Sequence, residues 1–72
     1  MKWKHPYYSE NAAEAATDTH KYLIVESDGR AELTVFAYDV SAPIGRRKMS
    51  TTYHKNMREA QRAAERHAKT HG

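Results

Sequence analysis

Asp28-Gly29 lies inside the longest β-prone stretch of the chain, and this dipeptide constrains the fold more than any other feature. The two central positions of a type I′ hairpin turn both need positive φ, and Asp-Gly is one of the few pairs that supplies it. Tyr22-Leu-Ile-Val-Glu26 precedes the turn, and Ala31-Glu-Leu-Thr-Val-Phe-Ala-Tyr-Asp-Val40 follows it. Both segments are rich in β-branched and aromatic residues, as strands are. A two-residue loop also fixes the register. Ser27 should face Arg30, Val25 face Glu32, Ile24 face Leu33 and Tyr22 face Val35.

Alternation along the two strands gives two faces. One carries Tyr22, Ile24, Leu33, Val35 and Ala37. The other carries Leu23, Val25, Glu32, Thr34, Phe36, Tyr38 and Val40. Both are partly apolar, so each asks for cover. A helix is expected on the first. Trp3, Tyr7 and the 9–17 segment are expected to cover the second within the same chain.

Pro43 and Gly45 mark a loop over 41–46, and Arg47 to Tyr53 reads as a third strand with Met49, Thr51 and Tyr53 on one face. Short connections favour an antiparallel meander. At the start of the chain, Pro6 holds His5 extended. Residues 9–17, with Ser9 as an N-cap and four alanines, read either as a short helix or as a loose linker.

Asn56-Met-Arg-Glu59 is a capping-box pattern opening a helix from Met57 to Lys69, with Gly72 as a stop. At about 100° per residue, Met57, Ala60, Ala64, His67, Ala68 and His71 fall on one half of the cylinder. Arg58, Arg62, Arg66 and Lys69 fall on the other, flanked by Glu59 and Glu65. An alanine face lets a helix sit close to a sheet but buries little area itself. The large core residues are therefore expected from the sheet: Tyr22, Ile24, Leu33, Val35, Met49 and Tyr53.

The expected fold is α+β: a three-stranded antiparallel sheet packed against a C-terminal amphipathic helix, with a short N-terminal helix as one reading of 9–17. One domain spans 1–72. Residues 1–20 form an extension or short helix, 21–54 the sheet and 56–70 the last helix. Seventy-two residues make a thin core. The sequence has no cysteine, which excludes disulfides, thiolate zinc sites and cysteine nucleophiles. No signal peptide or membrane-spanning run is expected, so a cytoplasmic location and no membrane partner follow.

Charge is unevenly spread. Residues 1–45 hold four basic and seven acidic side chains, whereas 46–72 hold eight basic (Arg46, Arg47, Lys48, Lys55, Arg58, Arg62, Arg66, Lys69) and only Glu59 and Glu65 as acids. A basic stripe on a helix suits the phosphate backbone of nucleic acid.

The order of a short helix, three antiparallel strands and a final helix resembles the double-stranded RNA-binding domain. That family holds phosphates with lysines at the start of its last helix. The matching positions here are Met57, Arg58 and Gln61, of which only Arg58 is basic, and the strand 1–2 loop is the minimal Ser27 to Arg30. Three strands and one helix also look like the arm-binding domains of phage integrases and related plant transcription-factor domains. Those insert the sheet into the major groove; here the sheet would offer Glu26, Glu32 and Asp39 beside Arg30, Arg47 and Lys48. The stretch from His54 to His67 is similar to the ending of many small actinobacterial and phage proteins, in which a cap and Glu-Ala open an alanine-rich helix. That similarity implies such a source and no defined activity.

Catalytic patterns are missing. No serine sits in a nucleophile elbow, and Gly29, Gly45 and Gly72 are isolated rather than forming a phosphate loop. His67 and His71 share a helix face at i,i+4, but no third ligand is nominated. No enzyme activity, metal or cofactor is expected.

The leading reading is a non-enzymatic nucleic-acid-binding module using Arg46, Arg47, Lys48, Lys55, Arg58, Arg62, Arg66 and Lys69. The alternative is a protein-interaction module, either a phage product acting on a host protein or a homodimer, meeting its partner through Leu23, Val25, Phe36 and Tyr38.

Overall fold

The computed structural model describes residues 1–6, 11–43 and 45–71, the last of these by its backbone alone. Four strands precede one helix: β1 (Ala12–Ala16), β2 (His20–Ser27), β3 (Arg30–Tyr38), β4 (Arg46–His54) and α1 (Met57–His71). The strands pair antiparallel in the order β1-β2-β3-β4, and α1 returns across β2 and β3.

The central hairpin forms in the register the turn dictates. Asp28 and Gly29 take φ of 52° and 78°, and Ser27–Arg30, Val25–Glu32, Ile24–Leu33 and Tyr22–Val35 are paired. At both positions the left-handed backbone is needed, which is why these two residue types stand there.

The first strand overturns the expectation of a helix or linker. Ala12 to Ala16 pairs with β2, from Ala12 opposite Val25 to Ala16 opposite Lys21. The sheet therefore has four strands and reaches back into residues 1–20, and the helix-first order shared with double-stranded RNA-binding domains is not there. The physical reason is cooperative. Alanine's helix preference over other ordinary residues is a few tenths of a kcal/mol, and a helix this short is marginal. Pairing with β2 satisfies the backbone and buries Ala12, Ala13 and Ala15. The other edge of β1 is held as well: Lys4 and Glu14 exchange backbone hydrogen bonds of 2.9 and 2.8 Å, and His5 Nδ1 donates to the Ala12 carbonyl. Ser9 and Tyr7, assigned to a cap and to cover, lie outside the described residues, as does Gly72.

The core is the layer between sheet and helix. Tyr22, Ile24, Ala31, Leu33, Val35, Ala60 and Ala64 form it, with Trp3, Met57, Ala63 and Ala68 packed at its margin. Ala60 and Ala64 are fully enclosed, so α1 sits on the sheet at methyl distance. Two expected core residues are not in it: Met49 and Tyr53 are 51% and 58% exposed. Tyr53 pairs with Glu32, on the face away from the helix, and Met49 falls where the β3–β4 register slips.

That slip is a bulge. Val35 pairs with Ser50, but Phe36 pairs with Lys48, leaving Met49 as the extra residue. An unbroken ladder would set Met49 and Arg47 on the face of Phe36; the bulge sets Lys48 and Arg46 there instead.

The helix start is capped twice. The Glu59 amide donates to Asn56 Oδ1 at 3.0 Å, as the capping pattern predicts. The Met57 amide donates to Glu26 Oε2 at 3.2 Å, a contact from β2 that ties the helix end to the sheet.

The second sheet face is exposed at Val25 and Tyr38, although Ala12 and Thr34 on the same face are buried. Trp3 does not cover it. Its ring lies on the helix side, and its Nε1 donates to Glu65 Oε2 at 3.1 Å. β1 widens the sheet rather than capping it. Val25 and Tyr38 are exposed, Leu23 and Phe36 are half-buried, and Val40 stands fully in solvent beyond the strand end.

Candidate nucleic-acid interface

Helix α1 runs for 15 residues without a break, so residues four apart stack along its outer side at a rise of about 6 Å. Arg58, Arg62, Arg66 and Lys69 are all exposed there, opposite the enclosed Ala60 and Ala64, and Lys55 is exposed just before the first turn. Among the described residues the only ion pair is Lys21 with Glu14, at 3.4 Å, so none of these five cations is neutralised by a carboxylate contact. Glu65, within the stripe, accepts the Trp3 N–H instead.

The remaining three expected contacts are elsewhere. Arg46 and Lys48 pair with Tyr38 and Phe36, on the open side of the sheet, while Arg47 pairs with Ala37 on the helix side. The helix stripe and the open face look in opposite directions, with the sheet and the enclosed Ala60 and Ala64 between them. The eight basic residues named from the sequence therefore form two surfaces, not one.

The open face gathers all four residues of the alternative set, Leu23, Val25, Phe36 and Tyr38, on adjacent strands. It also collects Lys21 beside Phe36, which was not singled out, together with Arg30 and with Tyr53, which was expected in the core. The Arg46 guanidinium lies over the Phe36 ring and that of Arg30 over the Tyr53 ring, each 4.9 Å from the centroid. Alternation along β2 was enough to place Lys21; the placement of Tyr53 needed the β3–β4 register.

Asp39 accepts the Ser41 hydroxyl at 2.6 Å and the Ser41 amide at 3.0 Å. These bonds, with a smaller effect from the charge of Arg47, hold its carboxyl below the usual aspartate range. Burial pushes the Tyr22 hydroxyl up. That hydroxyl is hydrogen-bonded to His67 Nδ1 at 2.8 Å, and His20 packs edge-on against His67. His67 is thus engaged with the core, and the side chain of His71 lies outside the described residues. Among the described residues no three His, Asp or Glu side chains group as metal ligands. No helix among them is long and apolar enough to cross a membrane.

No protein-family model matches this chain, and comparison with curated proteins and with solved structures gives no match either.

Proposed function

We propose that the protein is a small non-enzymatic nucleic-acid-binding module whose helix α1 rests on the phosphate backbone through Arg58, Arg62, Arg66 and Lys69, with Lys55 at its entry. The observation that carries this reading is the exposure of four cations, with no ion pair among the described residues, along one side of a helix whose opposite side is buried at Ala60 and Ala64. Arginine suits the role because its fork of donors stays charged and matches phosphate oxygens. Contacts to phosphates carry no sequence information, so this mode of binding is sequence-tolerant.

Four phosphate contacts release about four condensed counterions, giving a log K against log salt slope of about −3.6 on duplex DNA. Fluorescence anisotropy with a labelled duplex between 50 and 200 mM salt reads that slope. The Arg62→Ala/Arg66→Ala double variant should flatten it by about 1.8. Absence of binding at the lowest salt rules the reading out.

A second reading, contact with a protein partner or a second copy through Leu23, Val25, Phe36 and Tyr38, draws support from the exposure of Val25 and Tyr38 on the uncovered sheet. Sedimentation across a concentration series tests the homodimer form.

A further inference from the structure

We propose that the open face of the sheet is a platform for an unpaired nucleic-acid strand, with bases stacked on Tyr38 and on the Arg46 guanidinium that lies over Phe36, and phosphates held by Lys48 and, past the strand end, by Lys2 and Lys4. This site is separate from the helix stripe, and either can fail without the other.

The register builds the platform. Lys21, Phe36 and Lys48 stand in one row across β2, β3 and β4. Adjacent strands are about 4.8 Å apart, so Lys48 is the direct neighbour of Phe36 on β4, while Lys21, its neighbour on β2, is paired with Glu14 of β1 at 3.4 Å. Two residues further along β3, Tyr38 is paired with Arg46. Phe36 and Tyr38 are about 7 Å apart along the strand, which leaves room for one base on Tyr38 and one on the guanidinium over Phe36.

The rings are already dressed with cations. The Arg46 guanidinium carbon lies 4.9 Å from the centroid of Phe36, attracted by the ring's negative face. A planar guanidinium is itself a surface on which an unstacked base can lie. Arg30 over Tyr53 repeats the arrangement at the other end of the face. Beyond Tyr38 the surface dips into a hollow of about 480 Å³ lined by Lys2, Lys4 and the Lys21–Glu14 ion pair. A strand crossing Phe36 and Tyr38 would leave the sheet through lysines.

Charge and chemistry select the occupant. The face carries Lys4, Lys21, Arg30, Arg46 and Lys48 against Glu14 and Glu32, so its excess is positive. A second copy stacked face to face on a two-fold axis would set that excess against itself. A duplex keeps its bases stacked and has no use for exposed rings. An unpaired strand offers both phosphates and π-faces, the combination that cationic aromatic surfaces bind without sequence preference.

The test compares labelled dT12, rU12 and a 12-base-pair duplex in 50 mM salt, with ring-proton NMR shifts of Phe36 and Tyr38 followed during titration. Either single strand should bind and move those ring signals, and the pair of them separates DNA from RNA. Tyr38→Ala, at a half-exposed ring, should weaken single-strand binding about 5- to 100-fold and leave duplex binding unchanged. Tyr38→Phe should retain the affinity. Lys48→Gln should flatten the single-strand salt slope by about 0.7. Arg62→Ala/Arg66→Ala should spare the single strand. The proposal is overturned by equal single-strand affinity of Tyr38→Ala and wild type. Ring signals that do not move, or a dimer that Tyr38→Ala abolishes, overturn it equally. Loss of duplex binding alone strikes the helix reading and not this one.

Discussion

Replacing Ala64 by leucine probes the seat of the helix directly. Ala64 has no solvent exposure and shares one cluster with Tyr22, Ile24, Leu33 and Val35. Leucine adds three carbons at a point where the backbone of α1 already lies a methyl group away from the sheet. Leucine and alanine differ by only about 0.2 kcal/mol in helix preference, so the effect reports packing. Overpacking of an enclosed site costs about 1–3 kcal/mol. A 72-residue domain holds about 4–11 kcal/mol in total, at roughly 0.05–0.15 kcal/mol per residue. At about 4–8 °C per kcal/mol for a domain of this size, the melting temperature should fall by about 4–24 °C. Thermal melts by circular dichroism, paired with urea midpoints, read the change. Arg66→Leu, on the exposed side of the same helix, is the control and should stay within about 0.5 kcal/mol. A melting temperature for Ala64→Leu equal to that of the control refutes the close seat of α1, and with it the claim that the arginine stripe is fixed outward.

Other expectations follow from the hydrogen bonds. Asn56→Ala should lose about 1 kcal/mol in urea denaturation, because the Glu59 amide loses its acceptor. Glu26→Gln, which keeps an oxygen for the Met57 amide, should lose less than Glu26→Ala in the same assay. Burial holds the Tyr22 hydroxyl protonated beyond its ordinary value of 10.0, so the folded state binds the extra proton and stability should fall as pH rises above that value. Urea midpoints from pH 8 to 11 should show this decline in the native protein and not in Tyr22→Phe. The Asp39 carboxyl is held below its ordinary 3.8, so the Asp39–Ser41 turn is stabilised at neutral pH and loosens as pH drops below that value. Ser41→Ala should raise the Asp39 titration midpoint measured by NMR.

Much of the architecture is readable where a local signal decides it. Asp28-Gly29 sets the β2–β3 register because positive φ at two successive residues admits few alternatives. The 3.6-residue period separates Ala60 and Ala64 from Arg58, Arg62 and Arg66 without any tertiary knowledge. β1 is hidden for the opposite reason. Ala12-Ala-Glu-Ala-Ala16 prefers helix locally, and only pairing with β2 on one side and Lys4 on the other makes it a strand. The two surfaces divide along the same line. The helix stripe is visible from spacing alone. The company of Lys21, Phe36 and Lys48 depends on where β4 slips past β3, which no local pattern encodes. Simple alternation through Met49, Thr51 and Tyr53 even suggests a buried face that the sheet turns outward.

Met49 also gives β4 slack in chain length. Because it has no partner of its own, a chain lacking it would keep Val35 with Ser50 and Phe36 with Lys48 while losing only the kink. Removing a neighbour such as Thr51 instead would leave the bulge to absorb the shortfall or drive Lys48 and Arg46 round to the helix side. Single-residue length variants along this strand should therefore sort sharply, tolerated at one position and disruptive at the next.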